Sequence, residues 1–252
     1  MSPMPSVDEM QRFADAQYKE GAYGAYIKAK QLKLATFEKR IDSIRELLPQ
    51  GESRHLDIGC SAGFMIEVGL KNGFDSYGVE FSFEAISFAS PDIRARITQG
   101  DVNQLGGERD ELFDLITCFD IIEHVQSPRE FLHSLKKLLK PNGLLIVTTP
   151  DTKHFVAKLM GRSWPMLQPF QHTILFSRTS LNQTLAAAGF QEIKSTSAFK
   201  ILTFEYLIGQ LEQTSPLLAK LSALLNTIVP KSWSKRPLAL NISEFMSISR
   251  AL

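Results

Sequence analysis

The sequence predicts an α/β fold in which a mostly parallel sheet is covered by helices on both faces. Three observations predict it. From Arg54 onward short apolar runs alternate with helical segments, the pattern of strands buried between two helical layers. A strand-turn-helix at 55–70 carries glycines at 59 and 63. The chain has 252 residues, 44% hydrophobic and 22% charged, enough to bury a full-sized core.

The elements follow in order. Residues 1–50 read as a helical cap, with Tyr18, Tyr23 and Tyr26 early and Leu32, Phe37, Ile41, Ile44 and Leu48 at helical spacing, ended by Pro49-Gln50-Gly51. A core over 51–198 then alternates: strand 55–58 and helix 64–72, strand 75–80 and helix 83–90, strand 95–99, strand 113–119 and helix 129–139, strand 143–149. Residues 150–176 show little regular pattern and read as an ordered lid loop holding His154, Trp164, Pro165, Pro169 and His172. Ser177 caps a helix over 178–188, Gly189 stops it, and a strand follows near 190–196. Residues 199–240 read as a helical insert, from Leu207, Leu211, Leu218, Leu221, Leu225 and Ile228 between and around Pro216 and Pro230, with Lys231, Lys235 and Arg236 after. Residues 241–252 return as the last strand of the core, antiparallel to the others.

Composition excludes several classes. A formal net charge of +1 and no long lysine-arginine run argue against a nucleic-acid partner, which needs a dense basic face. Residues 1–11 lack a signal-like apolar stretch, and nothing approaches about 20 uninterrupted apolar residues. Cys60 and Cys118 make neither a disulfide framework nor a metal motif. A cytoplasmic setting is expected.

The most informative segment is the turn Gly59-Cys60-Ser61-Ala62-Gly63 after Asp57. Glycine there permits close backbone approach and positive φ, and the helix N-terminus offers free N–H groups. The spacing differs from the dinucleotide pattern G-x-G-x-x-G, and no Walker lysine follows. Further strands end in Glu80, in Gly100-Asp101-Val102, and in Phe119-Asp120 followed by Glu123-His124. An acid at Glu80 suits both hydroxyls of a ribose, and one at Asp101 an adenine amino group. Each stands at the carboxyl end of a strand, where open α/β sheets bind ligands; solvated caps are the bland alternative.

The stretches LDIGCSAGF (56–64), YGVEFS (77–82), GDV (100–102), FDLITCFDIIEHV (113–125), LKPNGLLIVTTPD (139–151) and QHTILFS (171–177) resemble class I S-adenosylmethionine-dependent methyltransferases. The likeness is closest to the branch holding ubiquinone-pathway-like and other small-molecule O-methyltransferases. The resemblance implies a Rossmann-like, seven-stranded, mostly parallel sheet with an antiparallel last strand. It implies S-adenosylmethionine as cofactor, leaving as S-adenosylhomocysteine. Asp57, Gly59, Cys60, Ser61 and Gly63 would meet its methionine portion, Glu80 and Phe81 its ribose, and Asp101 and Val102 its adenine, with Phe119, Asp120 and His124 flanking it. Ser61 departs from the glycine many relatives carry; a small side chain there should change a backbone contact and keep binding.

Methyl transfer from a sulfonium is an in-line displacement, so the protein chiefly aligns reactants and excludes water. A hydroxyl nucleophile also needs a base, and histidine titrates in the right range. His124, beside the expected methyl group, is the first candidate, with holding the cofactor or the loop as its alternative. His172 is the second, against capping the helix after it, and His154 the third. His55 and His133 read as structural or exposed. The three tyrosines suit an aromatic lid or simple packing, and Trp164 a pocket wall or a loop anchor. The strand-four tip lacks the Pro-Pro-aromatic signature of amide and adenine methylation, so a hydroxyl on a small-molecule acceptor leads. No metal is expected: Asp120 and Asp151 form no recognisable ligand cluster. The insert is expected to cap the substrate pocket, to form a homodimer contact, or to touch a membrane surface peripherally through 216–236. The rivals are a silent S-adenosylmethionine-binding partner and an RNA or protein methyltransferase.

Overall fold

The computed structural model describes residues 29–48, 53–102, 112–168, 171–204 and 236–252, with Glu9, Ile27 and Ser234. The apolar runs form strands β1 Ser53–Ile58, β2 Phe74–Glu80, β3 Ile97–Gln99, β4 Phe113–Phe119, β5 Leu139–Pro150 and β6 Phe190–Ser197. The short pair β7 Lys200–Thr203 and β8 Pro237–Leu240 comes next, and β9 Glu244–Ala251 closes the chain. Seven strands pair in the order β3-β2-β1-β4-β5-β9-β6, with β7 and β8 forming a separate ladder. β1 to β5 are mutually parallel, and β9 runs antiparallel to both β5 and β6. The expected seven-stranded Rossmann-like sheet with a reversed last strand is therefore present.

Alternation along the strands sends successive side chains to opposite faces. Leu56, Ile116, Leu145 and Val147 join Leu132 and Leu135 of α5 (Pro128–Leu138) and Leu181 and Leu185 of α7 (Arg178–Ala187) in one core. Their neighbours Leu115, Leu144, Ile146 and Ile248 meet Ile41 of α1 (Lys30–Asp42), with Met65 and Val68 of α2 (Phe64–Lys71), on the other face. The parallel register Asp57↔Thr117 and Ile58↔Cys118 brings the tips of β1 and β4 side by side. That is the edge on which a ligand site forms in such sheets.

Four elements differ from the sequence reading. The helix expected over 83–90 stops at Ser87 (α3, Phe83–Ser87), and a second short helix, α4 (Pro91–Arg94), starts beyond it, because Pro91 can start a helix and cannot continue one. The lid is more regular than expected: α6 (Phe155–Met160) starts at His154, whose ring accepts from the Val156 N–H at 3.3 Å. His154 is thus a helix cap. The N-terminal helix ends at Asp42 and tightens into a 3-10 turn at Arg45–Leu47. The insert expected to be helical begins and ends as β-ladder, β7 pairing antiparallel with β8. The leucine spacing that suggested a helix starts at Leu207, beyond β7, and so carried no information about the insert's base. Leu207 to Ile228, Lys231, Lys235 and Tyr18, Tyr23 and Tyr26 lie outside the described residues, as does nearly all of the membrane-contact segment 216–236. Among the described residues no helix is long and apolar enough to cross a membrane.

Candidate active site

The glycine turn leaves β1 in left-handed backbone: φ is 69° at Gly59, 53° at Ser61 and 75° at Gly63. The N–H groups of Gly59 and Cys60 donate to the Val79 carbonyl at 2.9 and 3.1 Å, stitching the turn to β2. A Cβ at residue 59 would lie 2.2 Å from Ile121 Cδ1, so only glycine lets the β4 tip close on the turn. Ser61 holds a conformation that costs an L-residue roughly 1–2 kcal/mol. Its N–H donates to Glu80 Oε2 at 2.8 Å, and the Ser82 N–H donates to Oε1 at 2.9 Å. Glu80 is buried at the end of β2 and reaches across the turn to Ser61. The Cys60 side chain packs under Gly78, where an added Cβ would lie 2.5 Å from its Sγ, and burial pushes its thiol up.

Behind the turn runs a buried polar chain. Thr117 Oγ1 donates to Asp57 Oδ1 at 2.6 Å and sits 2.8 Å from His55 Nε2, whose Nδ1 lies 3.1 Å from Ser76 Oγ. Since Thr117 spends its hydrogen on Asp57, the consistent tautomer has His55 donating from Nε2 and accepting from Ser76. Burial drives His55 down to about 3, so it is neutral. Burial, opposed by the Thr117 bond and reinforced by Glu80, raises Asp57 to about 7. Of the structural or exposed roles the sequence allowed His55, the buried structural one holds: it orients Thr117, and through it Asp57.

At the β4 tip Asp120 adopts φ 58°. It accepts from Thr148 Oγ1 at 2.8 Å and pairs with Lys200 Nζ at 3.0 Å. Lys200 also grips Glu244. Burial alone would raise Asp120, yet Lys200 and then Arg40 outweigh it and hold its carboxyl well below the usual range. Arg40, 5% exposed, lies 3.8 Å from Glu244 and 4.5 Å over the Phe119 ring, which stacks on Phe37. Among the described residues its Nε and Nη2 have no hydrogen-bond partner. Burial and the neighbouring Lys200 bring Lys33 down to about 8. Asp120 and Phe119, expected beside the cofactor, thus sit in a charged cluster of Lys33, Arg40, Lys200 and Glu244 that sequence reasoning missed. Its members come from α1, β7 and β9, so no local signal could have found it.

Past the tip, Thr149 Oγ1 donates to Glu123 Oε2 at 2.9 Å. Burial and the Asp120 charge push Glu123 up to about 8. His124 Nδ1 donates to the Gln171 carbonyl at 2.8 Å, and His172 Nδ1 to the Met166 carbonyl at 2.6 Å. The two rings meet edge to face with centroids 4.8 Å apart. Burial, then His172, lowers His124, and burial lowers His172. His172 does not cap the following helix; Ser177 does, in a reciprocal box with Ser180. Trp164 is an anchor, its Nε1 donating to Ser243 Oγ at 2.9 Å. Asp101 and buried Val102 follow β3, Phe81 is 38% exposed beside Glu80, and Asp151 pairs with Arg178.

The fold and this row of strand tips can be set against known proteins. A family model described as Methyltransferase domain matches residues 29–195, about two thirds of the chain. The chain belongs to the methyltransferase-domain family. Its cofactor is accordingly S-adenosylmethionine. Among its relatives, the mitochondrial ubiquinone biosynthesis O-methyltransferase of Schizosaccharomyces pombe is 35% identical over 100 residues, covering 37% of this chain and 36% of the relative. The ubiquinone biosynthesis O-methyltransferase of Alkalilimnicola ehrlichii is 27% identical over 133 residues, covering 50% and 54%. The match therefore spans about a third to a half of the length of these relatives. A methyltransferase from Archaeoglobus fulgidus, described as SAM-dependent, shares the fold at TM-score 0.59 and 16% identity, over 89% of this chain and 98% of that one.

Proposed function

We propose that this methyltransferase domain moves the methyl group of S-adenosylmethionine onto a hydroxyl of a small-molecule acceptor. One observation carries the reading. His124, just past the β4 tip, commits Nδ1–H to a backbone carbonyl, which leaves Nε2 as a lone-pair acceptor, and burial keeps the ring neutral. A neutral imidazole at the reacting end can take the acceptor's proton as the oxygen attacks the methyl carbon. The electron pair of the breaking S–CH3 bond returns to sulfur, releasing S-adenosylhomocysteine. The ubiquinone O-methyltransferases among the relatives support an oxygen acceptor.

The cofactor's place follows the same logic. The Gly59–Gly63 turn, with no side chain at 59 to block approach, suits the methionine portion. Glu80, an acid at the tip of β2, suits ribose hydroxyls, and Asp101 with Val102 suits adenine. The positive surplus of Lys33, Arg40 and Lys200 over Asp120 and Glu244 suits a carboxylate nearby.

The test is transfer from labelled S-adenosylmethionine to phenols, sugars and lipid quinones, with His124→Ala beside the native chain. The variant should lose roughly 10²–10⁴ in turnover while calorimetry shows S-adenosylhomocysteine affinity unchanged. Near-normal turnover in the variant overturns the role of His124, and failure of the native chain to bind the cofactor overturns the reading as a whole.

A further inference from the structure

We infer that Arg40 grips a carboxylate of the methyl acceptor, so that the acceptor is a hydroxy acid. The inference names a substrate class for the hydroxyl-methylation reading and rests on that reading.

Arg40 is a buried cation with an idle hydrogen-bonding edge. Only 5% of it is exposed, and among the described residues Nε and Nη2 have no hydrogen-bond partner. These two atoms form one edge of the planar guanidinium, whose parallel N–H bonds match the two oxygens of a carboxylate. Glu244 Oε2 lies 3.8 Å from Nη2, outside hydrogen-bond reach. It too has no partner among the described residues. The Phe119 ring lies 4.5 Å from the guanidinium carbon, a contact that draws on the charge and takes no N–H. Charged donors buried without acceptors are costly, so the edge suits an acceptor group that arrives from outside.

The charge balance sets the sign of that group. Lys200 pairs with Asp120 at 3.0 Å. Burial, then the Asp120 charge, raises Glu244, which makes it a weak counter-charge for Arg40. A water would satisfy the two donors and leave the cation uncompensated. A carboxylate does both, and its single charge matches the single surplus better than a dianionic phosphate does.

The place of Arg40 assigns this carboxylate to the acceptor. The groups that suit the donor stand at the ends of β1, β2 and β3. Arg40 lies against Phe119 of β4 and Glu244 of β9, which follow β1 on its other side in the strand order. Its charge still reaches Asp57 at the foot of the glycine turn, as it reaches Asp120, so a group held there stands beside the donor. The donor's methionine end brings an ammonium with its carboxylate, which Arg40 and Lys200 repel; an acceptor acid brings the anion alone.

The experiment uses the full chain loaded with S-adenosylhomocysteine. Hydroxyphenylacetate, hydroxycinnamate and hydroxystearate are titrated by calorimetry, each beside its methyl ester, which keeps the hydroxyl and lacks the charge. At least one acid should bind about tenfold or more tightly than its ester. Arg40→Lys keeps the charge and loses the paired donors; it should remove most of that preference and leave S-adenosylhomocysteine affinity unchanged. Thermal unfolding reports whether the variant folds. Isotope-labelled arginine in the native chain gives a reading that needs no variant: one Nε–H proton should move downfield with the acid and none with the ester. Acids that bind no better than their esters, an unchanged preference in folded Arg40→Lys, or no Nε–H shift overturns the inference. An equal loss of S-adenosylhomocysteine affinity in Arg40→Lys gives the edge to the donor and also overturns it. Methyl transfer to esters as fast as to acids overturns the inference alone. Acids that bind through Arg40 and receive no methyl from S-adenosylmethionine overturn the hydroxyl-methylation reading alone.

Discussion

Gly69→Ala gives the sharpest test of the buried polar chain behind the glycine turn. In an exposed helix interior this exchange stabilises by about 1 kcal/mol. Here the added Cβ would stand 2.0 Å from Ser76 Oγ and 3.1 Å from His55 Nδ1. Ser76 must turn away, which breaks its bond to His55. Crowding of a packed core costs about 1–3 kcal/mol, and stranding a buried imidazole nitrogen costs about 1–3 kcal/mol. Against the helix gain the net loss is about 1–5 kcal/mol, centred near 3. For a chain of this size that lowers the melting temperature by roughly 6–12 °C. Urea unfolding followed by circular dichroism measures it. Ser76→Ala removes the struck oxygen, so the double variant should cost about 1–3 kcal/mol less than the sum of the two singles. A Gly69→Ala chain as stable as the native one, or strictly additive losses, would refute the packing argument and the role given to His55.

Two further outcomes follow from buried charge. Lys200→Met leaves Asp120 and Glu244 facing each other without their shared cation; breaking a buried pair typically costs about 3–5 kcal/mol, and a loss under about 1 kcal/mol in denaturant would show that the pair is only a surface contact. Asp57, raised to about 7 from 3.8, binds its proton more tightly folded than unfolded. Its contribution to stability is therefore complete below about pH 4 and fades as pH rises through about 7, with a slope of up to about 1.4 kcal/mol per pH unit. Asp57→Asn should flatten that part of the stability profile, and an unchanged profile would mean that Asp57 titrates normally.

What the sequence determined is what local repetition encodes. Alternating apolar runs and helical spacing specify a sheet between helices because burial follows backbone period, and parallel strands place Asp57, Glu80 and Asp120 at one edge whatever packs around them. Gly59 and Gly63 were legible for the same reason, since positive φ is a property of one residue. The tertiary structure alone decided which polar groups meet. Asp120 ends in an ion pair because β7 brings Lys200 to it, and His55 became a hydrogen-bond link because β2 and β4 set Ser76 and Thr117 on either side. His124 and His172 face one another only because Thr173 and Ile174 fasten the lid to the β4 loop. Such contacts join residues far apart in the chain, and their energy comes from desolvation and hydrogen bonding in a shared interior, which a linear pattern does not record.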